Sequence, residues 1–135
     1  MRALFQITEK GRAADGRRLA ARATLVQLAF VWGLFAVIGT LEIAVGNEIA
    51  PYSQAVVTAC IFYIFFLYAL ARDWAVVGIL YGGYLLLGFF VGSNLIGLGV
   101  LYALGTIVSS ILNFVALSGI VIWLRNRSAT STNIV

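Results

Sequence analysis

The chain has 135 residues, nine Lys and Arg against five Asp and Glu, no His and one Cys. Apolar side chains make up 62% of it and charged ones 10%, and the mean hydropathy is +1.02. A soluble fold this small exposes much of its surface and needs charge to cover it, so the composition excludes a soluble domain.

With one cysteine, Cys60, an intrachain disulfide is impossible, and without histidine the usual zinc, haem and iron–sulfur ligand sets cannot be assembled from this chain. Cys60 lies in an apolar run, where packing is its expected role. No metal or cofactor is expected. Nor is an enzyme, since no buried acid pair and no nucleophile with a base at reachable spacing can be found.

Residues 1–23, "MRALFQITEKGRAADGRRLAARA", hold six of the nine basic residues: Arg2, Lys10, Arg12, Arg17, Arg18 and Arg22. Gly11 and Gly16 argue against one long helix here, although residues 17–23 can open the first span. The segment reads as a basic arm. A cleaved signal is not expected, because the basic region is too long and the apolar block behind it is a full span.

The first apolar block covers residues 24–46, "TLVQLAFVWGLFAVIGTLEIAVG". A turn follows at "NEIAP", with Pro51 suited to the first turn of the next helix. The second block is 52–71, closed by the polar turn "ARDW"; the third is 74–91, ended by the glycines of "GSNLIGLG". The fourth is 100–124, followed by a polar tail, 125–135. Each block reaches the roughly 17 residues that cross about 30 Å of hydrocarbon as a helix. Backbone groups in lipid must be paired internally, which favours helices over open strands. The expectation is an all-α integral membrane protein, four transmembrane helices in two hairpins, forming one unit.

With four spans, the arm, the "ARDW" turn and the tail fall on one side, together with all nine basic residues; the two opposite loops carry none. By the positive-inside rule both termini are cytoplasmic. Trp74 and Trp123 suit an aromatic belt at that face. The net charge of +4 is thus read mainly as a topology signal. No nucleic acid is expected as a partner, because the basic segment lacks a folded reading element.

Polar residues within the blocks are few. Glu42 lies eighteen residues beyond Thr24, about 27 Å along a helix, near the outer interface. Its alternatives are an interfacial side chain facing water, Asn47 or Asn94, and a proton or cation site. In the fourth block Ser109 and Asn113 are four apart and Ser110 and Asn113 three apart, so they share one helical face, with Thr106 extending it. Such a stripe either hydrogen-bonds across helices or forms a groove for a substrate headgroup. Gly78 and Gly82, Gly88 and Gly92, and Gly105 and Ser109 have the spacing of close helix packing, as in a tight bundle or an oligomer. The aromatic stretch "IFYIFFLYAL" is either a lipid-facing surface or a platform for another subunit. Displacing the chain by 49 residues lays hairpin one over hairpin two, aligning Gly33 with Gly82 and Trp74 with Trp123.

The segment 104–127, "LGTIVSSILNFVALSGIVIWLRNR", with Asn113-Phe114, a following apolar stretch, Trp123 and a basic tail, resembles the last span of the GtrA-like family of small four-helix membrane proteins. The basic arm leading into "LAFVWGLFAVIG" is similar to that family's start. The chain departs from the pattern at Leu117 and Ser118, where a basic residue often stands, and at Glu42. The resemblance implies a bacterial-type inner membrane and a role in translocating or presenting polyprenyl-phosphate-linked sugars for cell-surface polysaccharide. Arg22, Arg72 and Arg125 would then form a cytoplasmic basic rim for a lipid phosphate, and Ser109, Ser110 and Asn113 would solvate the headgroup. A second resemblance is to small multidrug-resistance transporters, which place a carboxylate in the first of four helices; it implies a proton-coupled exporter using Glu42. A third expectation is an accessory subunit of a larger membrane complex. Expected partners are membrane lipids, a polyprenyl-phosphate lipid, and either copies of this chain or the subunits of such a complex.

Overall fold

In the computed structural model, which describes residues 5–94, 97 and 99–131 (main chain only at 51, 52 and 128–131), the chain is all-helical. The helices are α1 (Arg12–Ala44), α2 (Ala50–Ala71), α3 (Ala75–Ser93) and α4 (Val100–Ser131), with no strand among the described residues. All four are long and apolar enough to cross a membrane, and the chain is a four-helix membrane protein. Arg2, residues 95, 96 and 98 of the third loop, and the tail beyond 131 lie outside the described residues.

The helices form two hairpins, α1 with α2 and α3 with α4. Their broadest contact joins the first helix to the last, whereas of the consecutive helices α2 and α3 touch least. Two boundaries differ from those read in the sequence. Residues 12–16, read as part of a non-helical arm, join 17–23, read as able to open the first span, in the opening turns of α1, and residues 125–131, read as a tail, continue α4. Gly16 is the reason for the first. A Cβ there would lie 2.6 Å from the Gly119 carbonyl oxygen and 2.6 Å from the Trp123 nitrogen, and a Cβ at Gly119 would lie 2.6 Å from the Ala20 nitrogen. The two backbones meet, and that contact outweighs the roughly 1 kcal/mol by which glycine disfavours a helix. At the other boundary, residues 120–131 contain no Gly or Pro to stop the helix, and Asn126 Nδ2 donates back to the Ile122 carbonyl at 2.7 Å.

The 33 residues of α1 and 32 of α4 are about 50 Å long, against about 30 Å for the 22 of α2 and 19 of α3. The first and last helices therefore run on side by side past the α2–α3 turn, at the end that carries the arginines.

The core at this end is aromatic. Phe66 stacks on Tyr81 with centroids 4.2 Å apart. The Thr24 hydroxyl donates to the Ala20 carbonyl at 2.7 Å and accepts from the Tyr81 hydroxyl. Tyr63 and Phe66 point into the core while Ile61, Phe62, Ile64 and Phe65 face outward, so the aromatic stretch of α2 is neither wholly lipid-facing nor wholly a platform. Cys60 is buried. Trp123, read as a belt residue, is 0% exposed: its ring lies over Gly78, where a Cβ would come within 2.1 Å of it. Trp32 and Trp74 do face outward.

Candidate functional site

The polar face of α4 looks into a cavity. Thr106, Ser109, Ser110 and Asn113 line it, joined by Gln27 from α1, which had not been singled out in the sequence. Gln27 Nε2 donates to Ser109 Oγ at 2.5 Å, across 82 residues of chain. Tyr63 of α2 and Tyr84 of α3 complete the polar part, their rings edge to face with centroids 6.1 Å apart. Phe30 and Leu34 of α1 and Leu87 and Val91 of α3 supply apolar wall. The volume is about 440 Å³, within the roughly 300–1,000 Å³ of small-molecule pockets.

Gly88 makes the seat for Asn113, since a Cβ there would come within 3.0 Å of the Asn113 amide nitrogen. Asn113 is 7% exposed and Gln27 3% exposed, yet Asn113 Oδ1 and Gln27 Oε1 have no hydrogen-bond partner among the described residues. No Asp, Glu, Lys or Arg lines the cavity. It follows α4 from Tyr102 to Asn113, about 16 Å, in the half of the bundle away from the arginines. Beyond Asn113 the aromatic core and the Gly16–Gly119 contact close the bundle.

The three residues read as a headgroup groove, Ser109, Ser110 and Asn113, are thus brought together on one wall. The other candidates are elsewhere. Glu42 is in the last turn of α1 and accepts a hydrogen bond from Asn47 Nδ2 at 2.6 Å. Arg22 and Arg125 are exposed, and Arg72, also exposed, caps α2 with its guanidinium 5.3 Å from the centroid of the Tyr68 ring. None of these four lines the cavity.

A different arginine holds the basic end together. Arg17 is 1% exposed; its Nη1 donates to the Leu70 carbonyl at 3.0 Å and its Nη2 to Glu9. Its Nε lies 3.7 Å from Oδ1 of Asp73, an oxygen that also accepts from Trp123 Nε1 at 2.6 Å. Arg127 Nε lies 3.4 Å from the other oxygen of Asp73. Asp73 sits in the α2–α3 turn at φ 57°, the left-handed conformation that Asp adopts more readily than most residues. Arg18 ties the segment before α1 to the helix, donating to Asp15 at 2.7 Å and to the carbonyls of Ile7 (3.3 Å) and Glu9. The sequence offered one clue to Arg17: at i+3, i+7 and i+10 it is followed by Ala20, Thr24 and Gln27, a small and polar face unlike the exposed one carrying Arg22.

Among the described residues no three His, Cys, Asp or Glu side chains cluster to hold a metal ion. No family model, curated protein or solved structure matches the chain, so the cavity's own geometry is the guide to what it does.

Proposed function

We propose that this chain handles the headgroup of a polyprenyl-phosphate-linked sugar in a bacterial-type inner membrane, translocating it or presenting it to a transferase, as the likeness to GtrA-like proteins implies. Both termini are cytoplasmic in this reading, by the positive-inside rule. The observation that carries it is the cavity: hydrogen-bonding groups of Gln27, Ser109, Ser110 and Asn113 are gathered between helices that are otherwise apolar. Polar groups at that depth are costly unless a partner or a ligand uses them. The lipid tail would remain in the bilayer beside the helices, and the exposed Arg22, Arg72 and Arg125 would meet the phosphate at the cytoplasmic face. Glu42 stands apart from the cavity, which favours this reading over an exporter that couples transport to that carboxylate.

The test is movement of a radiolabelled polyprenyl-phosphate hexose across proteoliposomes containing the purified chain. Transfer above protein-free vesicles is expected, with a loss of tenfold or more when Arg22, Arg72 and Arg125 are all changed to Gln. Transfer equal to that of empty vesicles removes the translocation role, and transfer unaffected by the triple change removes the rim.

A further inference from the structure

We infer that the cavity binds an uncharged, hydroxyl-bearing group through Gln27 and Asn113, and leaves any charged part of the same ligand outside. The inference rests on the headgroup-handling role above and narrows it to a chemical class.

Both amides are more than nine-tenths buried, both line the cavity, and each has a carbonyl oxygen with no partner among the described residues. An unpaired buried acceptor is strongly disfavoured, and two on one cavity are unusual in a folded chain. They mark where hydrogen-bond donors belong. Gln27 is bonded to Ser109, which stands one helical turn from Asn113, so the two amides border the same part of the cavity. A ring that carries several hydroxyls offers more than one donor to such a pair.

Three ligand classes compete for the site. An ammonium group would enter a low-dielectric space with no carboxylate on its walls, and a buried charge without a counter-charge is heavily penalised. A phosphate brings no donor when ionised, would face two carbonyl oxygens, and would find no Lys or Arg. The cations gather instead at Asp73, beside Trp123, about 15 Å further along α4 from Asn113. A hydroxyl both donates and accepts, so it completes either amide even if the amide turns over and presents its nitrogen. The apolar and aromatic faces of Phe30 and Tyr84 suit the C–H faces of a polyol ring.

The experiment uses the full chain in lipid nanodiscs and three radiolabelled probes sharing one tail: dodecyl β-glucoside, dodecyl phosphate and dodecylammonium. Binding is counted above that of protein-free discs, which absorb all three by partition. The expected result is saturable binding of the glucoside alone, weakened about tenfold by Gln27→Leu or Asn113→Leu, each of which replaces the amide by an apolar branched side chain. Saturable binding of the phosphate or the ammonium probe at comparable affinity overturns the inference, as does glucoside binding that is unchanged in the folded double variant. Asn113→Asp keeps the shape and supplies a counter-charge; if the leucine variants do not fold, its expected gain of dodecylammonium binding at high pH, with loss of the glucoside, supports the same assignment, and unchanged selectivity overturns it. The two proposals separate cleanly. Glucoside selectivity without transfer of the polyprenyl-linked sugar keeps the cavity assignment and removes the transport role; transfer that ignores both amides does the reverse.

Discussion

At the end that carries the arginines, α1 and α4 touch backbone to backbone at Gly16 and Gly119, and Trp123 fills the space over Gly78. Further along the same two helices, Gln27 reaches Ser109 through a side-chain hydrogen bond, and a cavity of about 440 Å³ opens beside it. The helices are continuous through both regions, so the difference lies in what they carry. Gly and Ala at the interface let the backbones close; Gln, Ser and Asn two to three turns further along the same helices hold them apart. Residue size along a single interface therefore decides where a membrane bundle is solid and where it is hollow.

The largest expected effect comes from forcing the solid end open. Gly119→Leu places side-chain atoms where the Gly16 oxygen and Ala20 nitrogen already stand, and should cost more than about 3 kcal/mol, read as loss of folded protein in a denaturation series in mild detergent. Next is Asp73→Ala, which strands the Trp123 indole N–H and takes one of two carboxylates from buried Arg17; about 2–3 kcal/mol is expected by the same measurement. Asp73→Asn, which keeps an acceptor for Trp123, should recover part of it.

Changes in the hollow half should be much milder. Gln27→Leu breaks the bond to Ser109 but also removes an unpaired oxygen, so stability should move by less than about 1 kcal/mol while glucoside binding drops. Ser110→Val has open space to fill and should cost under about 1 kcal/mol. Least of all is expected from Glu42→Gln: an exposed contact with Asn47 contributes about 0–1 kcal/mol, and transfer of the polyprenyl-linked sugar should be unaltered. If Gln27→Leu proves as damaging as Asp73→Ala, the contrast between the two halves is wrong.

The four helices were legible because an apolar run of spanning length has few other solutions, and the shared face of Ser109, Ser110 and Asn113 because helical spacing alone dictates it. What spacing cannot say is which helix lies opposite. Gln27 is one polar residue in an apolar run until α1 is laid against α4, a pairing that joins the most distant parts of the chain. Arg17 was hidden for a related reason. It stands among five other basic residues that look alike in sequence, and its burial depends on Leu70 in the last turn of α2 and Asp73 in the α2–α3 turn. Gly16 misled outright. A helix-weakening residue by propensity, it is the residue that a backbone contact requires, and only the neighbour Gly119 distinguishes the two roles.

The junction of Gly16 with Gly119 also restricts how the protein can move. Helices locked atom to atom at one end cannot slip or roll past each other without tearing that seam, so α1 and α4 behave as a single double-width spar. By contrast α2 and α3 share the smallest contact of any two consecutive helices or of the first and last, so the bundle is bound more loosely on that side.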